Sequence, residues 1–169
     1  MKLADFFCGC GGLSQGMVQS GAFELVLAND IWDDALASHA ANHDCEHVLG
    51  DISDPEVKER IVQLIGGKVD GMCGGPPCQS FSMAGKRDPR DPRGQLFFHY
   101  IDLIRQVQPK FVLAENVKGI LTARLPRTGL SPPDQARLDA HFALEGKART
   151  TNRKNVKDLF RPVTELLQE

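Results

Sequence analysis

Five short apolar runs alternate with stretches of helical spacing, and this alternation constrains the chain more than any other feature. The runs cover residues 3–7, 23–29, 47–49, 69–73 and 111–114. Helical patterns fill 13–20, 32–43, 55–65 and 96–107. The third helix is the clearest. Asp54 is placed as its N-cap and Pro55 at its first position. Val57, Ile61, Leu64 and Ile65 share one face, and Gly66-Gly67 stops it. Such a βαβαβαβαβ order predicts an α/β fold: a doubly wound, mostly parallel sheet with right-handed crossovers. In sheets of this kind ligands bind outside the carboxyl ends of the strands.

Chemistry-bearing residues gather at those ends. The first strand runs into Cys8-Gly9-Cys10-Gly11-Gly12, a turn where backbone could lie bare against a ligand at a helix N-terminus. Ser14 stands where a strict G-x-G-x-x-G would have its last glycine, so a tight turn without ligand is an equal reading. Asp30 ends the second strand, placed to accept from ribose hydroxyls. Asp51 follows the third strand, as a second such carboxylate or as a turn residue. The fourth strand leads into Gly74-Gly75-Pro76-Pro77-Cys78-Gln79-Ser80-Phe81-Ser82. Two prolines stiffen this loop, which presents a single thiol either as a nucleophile or as an incidental buried cysteine. Glu115-Asn116 ends the fifth strand. Five placements on one rim are hard to attribute to chance. Residues 86–94, with four basic residues and two prolines, read as an exposed loop beside the thiol, positioned to act as a lid.

Composition narrows the classes. At 169 residues, 41% hydrophobic and 25% charged, the chain is expected to be one globular domain. No apolar run reaches the ~18 residues of a membrane span, and the N-terminus lacks the shape of a signal peptide. Five cysteines without a secretion signal suggest reduced thiols in the cytoplasm. No C-x-x-C pair occurs, and no metal is expected. The net charge of −2 divides unevenly. Residues 1–123 carry 11 Lys and Arg against 16 Asp and Glu, and 124–169 carry 9 against 6. A basic end can contact a polyanion, but it is more often a solvated surface.

The chain resembles the N-terminal part of the DNA cytosine-5 methyltransferases. The resemblance rests on Asp5-Phe6-Phe7-Cys8-Gly9-Cys10-Gly11-Gly12, Asn29-Asp30, Gly50-Asp51-Ile52, Gly75-Pro76-Pro77-Cys78-Gln79-Ser80-Phe81-Ser82, Asp91-Pro92-Arg93-Gly94-Gln95-Leu96-Phe97 and Glu115-Asn116-Val117-Lys118-Gly119, in family order over about 3–121. Asp30 departs from it, since the family commonly has Glu there. The resemblance implies a Rossmann-like methyltransferase core using S-adenosylmethionine. Cys78 would be the nucleophile toward cytosine C6, Glu115 would stabilise the ring at N3, and Asn116 would position the loop. Phe7, Gly9, Gly12, Asp30, Asp51, Ile52, Pro77 and Leu96 would hold the cofactor. Ser82, Lys86, Arg87 and Arg93 would approach DNA carrying a flipped cytosine. Nucleoid association would follow in a bacterium.

The remainder departs from the family pattern. Residues 1–121 form the expected cofactor and catalytic core, 122–154 read as an irregular basic linker or insertion, and 155–169 as an amphipathic helix bearing Val156, Leu159, Phe160, Val163, Leu166 and Leu167. The family's Gln-x-Arg-x-Arg segment and target recognition domain are not visible, so an N-terminal fragment, or one half completed by a second chain, is expected. A non-catalytic S-adenosylmethionine-binding or partner-completed module is one alternative. A nicotinamide-dependent oxidoreductase is another, weakened by Ser14.

Overall fold

The computed structural model describes residues 1–77, 92–122, 124–126, 130–144 and 153–162. The expected alternation is present: β1 (Lys2–Phe6), α1 (Gly12–Gln19), β2 (Glu24–Asp30), α2 (Asp33–Ala40), β3 (Glu46–Leu49), α3 (Pro55–Ile65), β4 (Gly71–Gly74), α4 (Pro92–Val107) and β5 (Phe111–Ala114). The five strands form one parallel sheet in the order β3-β2-β1-β4-β5. The chain moves outward from β1 to β3, then crosses back to β4 on the other side of β1. That reversal opens a crevice between the loops after β1 and β4, where doubly wound folds bind ligands.

Alternation along β1 explains how both sheet faces are covered. Ala4 and Phe6 face a core with Leu27, Ile61, Ile65, Met72, Tyr100 and Leu103, supplied by α3 and α4. Leu3 faces the other side with Leu25, Cys73, Leu13 and Met17, under α1. The central strand is therefore buried on both faces, as parallel sheets require. Asp54 caps α3 as expected, its side chain accepting from the Glu56 N–H at 2.9 Å. The helix α4 begins four residues earlier than its apolar pattern suggests. Pro92 suits a first turn, because its fixed φ and missing N–H cost nothing there.

The C-terminal part differs from expectation. Within the stretch read as an irregular linker, Pro132–Ala143 is a helix, α5. Ser131 is its N-cap, accepting from the Asp134 N–H, and Leu138 and Phe142 are buried one turn apart. Where a helix was expected over 155–169, the described part forms a 3-10 helix over Arg153–Leu159 and a strand, β7 (Phe160–Pro162), and residues 163–169, with Val163, Leu166 and Leu167, lie outside the described residues. Pro162 is the reason: it has no N–H to donate and disfavours helical backbone at Arg161. Strand β7 pairs antiparallel with β6 (Arg124–Pro126). Val156 and Leu159, three apart and so on one side of a 3-10 helix, pack on Leu138 and Phe142. Arg137 fastens the same contact, donating to the Asn155 carbonyl at 2.7 Å and pairing with Asp158 at 3.2 Å.

Candidate active site

The glycine turn after β1 is shaped by its backbone. Phe7 and Gly9 both have φ of 55°, and Gly11 has φ of 93°. For Phe7, a left-handed conformation is strained and points to a site where the turn's shape matters. Its ring is held edge-on to Tyr100, centroids 5.8 Å apart. A side chain at Gly9 or Gly12 would meet nothing within 4 Å, so open space lies over the bare backbone of the turn.

Asp30 builds the next wall. One carboxylate oxygen accepts from the Gly9 N–H at 2.8 Å and the other from the Trp32 N–H at 2.9 Å. Its carbonyl accepts from the Gly50 N–H at 2.9 Å. One residue thus ties together the loops after β1, β2 and β3. Each carboxylate oxygen retains acceptor capacity toward a hydroxyl. Beside it, Ile31 and Trp32 are 66% and 64% exposed, large apolar groups uncovered at the rim. Sequence reasoning missed both, although apolar residues directly after a strand-end carboxylate are the signal. Asp51 accepts from the Ser53 N–H at 2.7 Å, the turn geometry that was its plainer reading. Ile52 is buried in the main core, so its side chain serves packing and only its backbone borders the rim.

The loop after β5 is strapped to the loop after β4. The Glu115 N–H donates to the Gly74 carbonyl at 2.9 Å. Asn116 donates from Nδ2 to the Pro76 carbonyl at 3.0 Å, and its Oδ1 accepts from the Val117 N–H at 2.9 Å. A Cβ added at Gly75 would sit 3.5 Å from Glu115 Oε2, so the exposed carboxylate lies over this glycine. Gly74 cannot be replaced cheaply, since a Cβ there would meet the Phe6 carbonyl oxygen at 2.5 Å. Beyond the strap, Val117 and Ile120 pack against Phe97 at the start of α4. Half-buried Leu96 lies against the main core, and Pro77 ends the described part of the loop. Cys78, Ser82, Lys86 and Arg87 lie outside the described residues, as does the side chain of Arg93, whose backbone is in the first turn of α4.

Three other thiols are poorly suited to be nucleophiles. Burial pushes Cys8 up to about 12 and Cys45 up to about 11, and it raises Cys73 further. The same burial raises the Asp5 carboxyl, against the hydrogen bond it receives from Ser14.

The β1–β4 crevice thus has bare backbone and the Asp30 carboxylate on one side, and on the other an exposed Glu115 carboxylate and an Asn116 amide tied to the loop after β4. The family model for C-5 cytosine-specific DNA methylase matches residues 1–129. Type II methyltransferase M.NgoPII of Neisseria gonorrhoeae is 46% identical over 126 residues, covering 73% of this chain and 35% of that protein. Type II methyltransferase M.FnuDI of Fusobacterium nucleatum is 43% identical over 125 residues, covering 73% and 34%. Among solved structures, a prophage-encoded candidate DNA modification methyltransferase from E. coli superposes with a TM-score of 0.58 at 37% identity, covering 72% of this chain and 33% of that one. The chain spans about a third of the length of these relatives. The match spans well over half of the chain, and the chain belongs to the C-5 cytosine-specific DNA methylases.

Proposed function

We propose that this chain supplies the cofactor-binding and bond-making part of a DNA cytosine-5 methyltransferase, with sequence readout coming from a further C-terminal part or a second chain. The observation that carries the reading is the double strap from Glu115 and Asn116 to the carbonyls of Gly74 and Pro76. It holds an acid two residues of loop away from the segment that presents Cys78. Bound S-adenosylmethionine supplies an electrophilic methyl group. The residues present fit it: open space over Gly9 and Gly12 for its amino-acid part, Asp30 for its ribose, and uncovered Ile31 and Trp32 for a flat base.

Cys78 adds as thiolate to C6 of a flipped cytosine, which makes C5 nucleophilic. Electron density moves to N3, where Glu115 shares a proton. Asn116 keeps the two loops in register, since misplacement by about 1 Å can cost roughly 100-fold in rate. Once C5 has taken the methyl group, loss of the C5 proton to solvent and elimination break the Cys78–C6 bond and free the thiolate. The test is trapping on a duplex containing 5-fluorocytosine, with the chain complemented by a C-terminal half. A covalent adduct at Cys78, absent from Cys78→Ser, is expected. An adduct at Cys73, or one that survives in Cys78→Ser, would reject the assignment.

A further inference from the structure

A partly buried polar cluster behind the glycine turn has no part in that chemistry. His39 at the end of α2, and Cys45 and His47 at the start of β3, converge so that one ligand atom from each lies within 4.8 Å of the others. His39 Nδ1 is 2.9 Å from His47 Nε2, and Cys45 Sγ is 3.6 Å from the same Nε2. Around a tetrahedral zinc ion, neighbouring nitrogens are about 3.3 Å apart and a nitrogen and a sulfur about 3.6 Å. The His39–His47 pair therefore needs to open by a few tenths of an ångström, the Cys45–His47 pair already has the spacing, and the third pair lies within 4.8 Å.

The surroundings are those of a metal-binding imidazole. Ser14 Oγ donates to Asp5 Oδ2 and lies 3.2 Å from His39 Nε2. With its hydrogen given to Asp5, Ser14 must accept from His39 Nε2–H. The Nδ1 lone pair of His39 is then directed at His47 Nε2, which Cys45 Sγ also approaches. A ligating histidine whose other nitrogen donates toward a carboxylate is the usual outer arrangement of a metal site. Two nitrogens, one sulfur and no carboxylate in the trio match a borderline-soft ion rather than calcium or magnesium.

We infer that His39, Cys45 and His47 bind one zinc-class divalent ion, leaving a fourth position for water. The ion would clamp the end of α2 to β3 directly beneath Gly11, where an added Cβ would meet the His43 and His39 rings at 2.8 and 2.9 Å. The cue in the sequence was His39 and His43 four apart, followed by Cys45 and His47 two apart.

The experiment uses untagged, chelator-stripped 169-residue protein in equilibrium dialysis against zinc sulfate. One equivalent bound is expected, with affinity lowered about 100-fold or more in Cys45→Ser and in His47→Gln, at least the loss seen for outer-shell changes. His99→Gln, remote on α4, should bind as the parent does. Cobalt substitution gives an independent readout in the parent protein: a thiolate-to-cobalt charge-transfer band, lost in Cys45→Ser while the ligand-field bands persist. Far-ultraviolet circular dichroism checks that the variants are folded. A parent protein that retains no zinc, or a cobalt spectrum without the thiolate band, overturns the inference. Zinc retention unchanged in folded Cys45→Ser overturns it as well.

Discussion

At the scale of single residues, burial separates the cysteines by role. The folded protein keeps protons on Cys8 and Cys45 up to about 12 and 11, whereas unfolded thiols release them near ~8.5. Folded-state values raised in this way stabilise fully below the unfolded value and lose that stabilisation as pH climbs toward the folded ones. Urea midpoints of metal-free protein should therefore fall progressively between about pH 9 and 11. A flat profile would show that these thiols are solvated. Asp30 is the other informative residue. Asp30→Ala should weaken S-adenosylmethionine binding by roughly 1–3 kcal/mol, the cost of unpaired buried hydroxyls. Because Asp30 also holds the Gly9 amide, Asp30→Asn should recover part of the loss. Calorimetry on folded variants checks both, and unchanged affinity in Asp30→Ala would dismiss the ribose role.

At the scale of elements, what was legible in the sequence depended on how regular the period was. Strands β1 to β5 were readable because each is an apolar run bounded by Gly, Pro or Asp, and α3 because its cap and apolar face agree. Strand-end placement then brought out Gly9, Asp30, Asp51 and Glu115 without any knowledge of contacts. The structure adds pairings that no spacing encodes: Asn116 to the Pro76 carbonyl, Asp30 to the Gly9 amide, and His39 to His47. The C-terminal elements were misread where apolar spacing outweighed punctuation. Pro162 interrupts the spacing that suggested a helix over 155–169, and Ser131-Pro132-Pro133-Asp134 is a helix start that the surrounding Arg, Pro and Gly obscured. Removing that cap is a direct test. Ser131→Ala should cost about 1 kcal/mol in α5. It should raise amide exchange at Leu138 and Phe142 while leaving the β1–β4 amides unchanged. Equal loosening of both regions would show that α5 does not depend on its cap.

At the scale of the whole molecule, the sheet has an uneven finish. β5 is its outer strand beyond β4, and Val112 and Leu113 on it are 39% and 43% exposed. Exposed apolar strand edges invite pairing with another strand. Purified chain should self-associate, and co-expression with a C-terminal half of a family relative should reduce this. Val112→Lys with Leu113→Thr should do the same without a partner. Size-exclusion chromatography decides, and a monomeric parent at high concentration would contradict the reading. Among the described residues no helix is long and apolar enough to cross a membrane.

The strand order also sets a schedule for synthesis. β1 precedes the other four strands of the sheet in the chain, yet it sits in the centre. Its partner β2 follows within about two dozen residues, but β4 begins only at Gly71, and the carboxylate that receives the Lys2 N–H belongs to Asp70. At roughly 5–20 residues per second, the ribosome leaves one edge of β1 unpaired for several seconds, and the face bearing Ala4 and Phe6 without its α4 cover until α4 has emerged. The nascent chain is thus most exposed to chaperones and to misassembly in mid-synthesis. Pausing introduced between the codons for β3 and β4 should lower the yield of folded protein more than the same pause placed after α4.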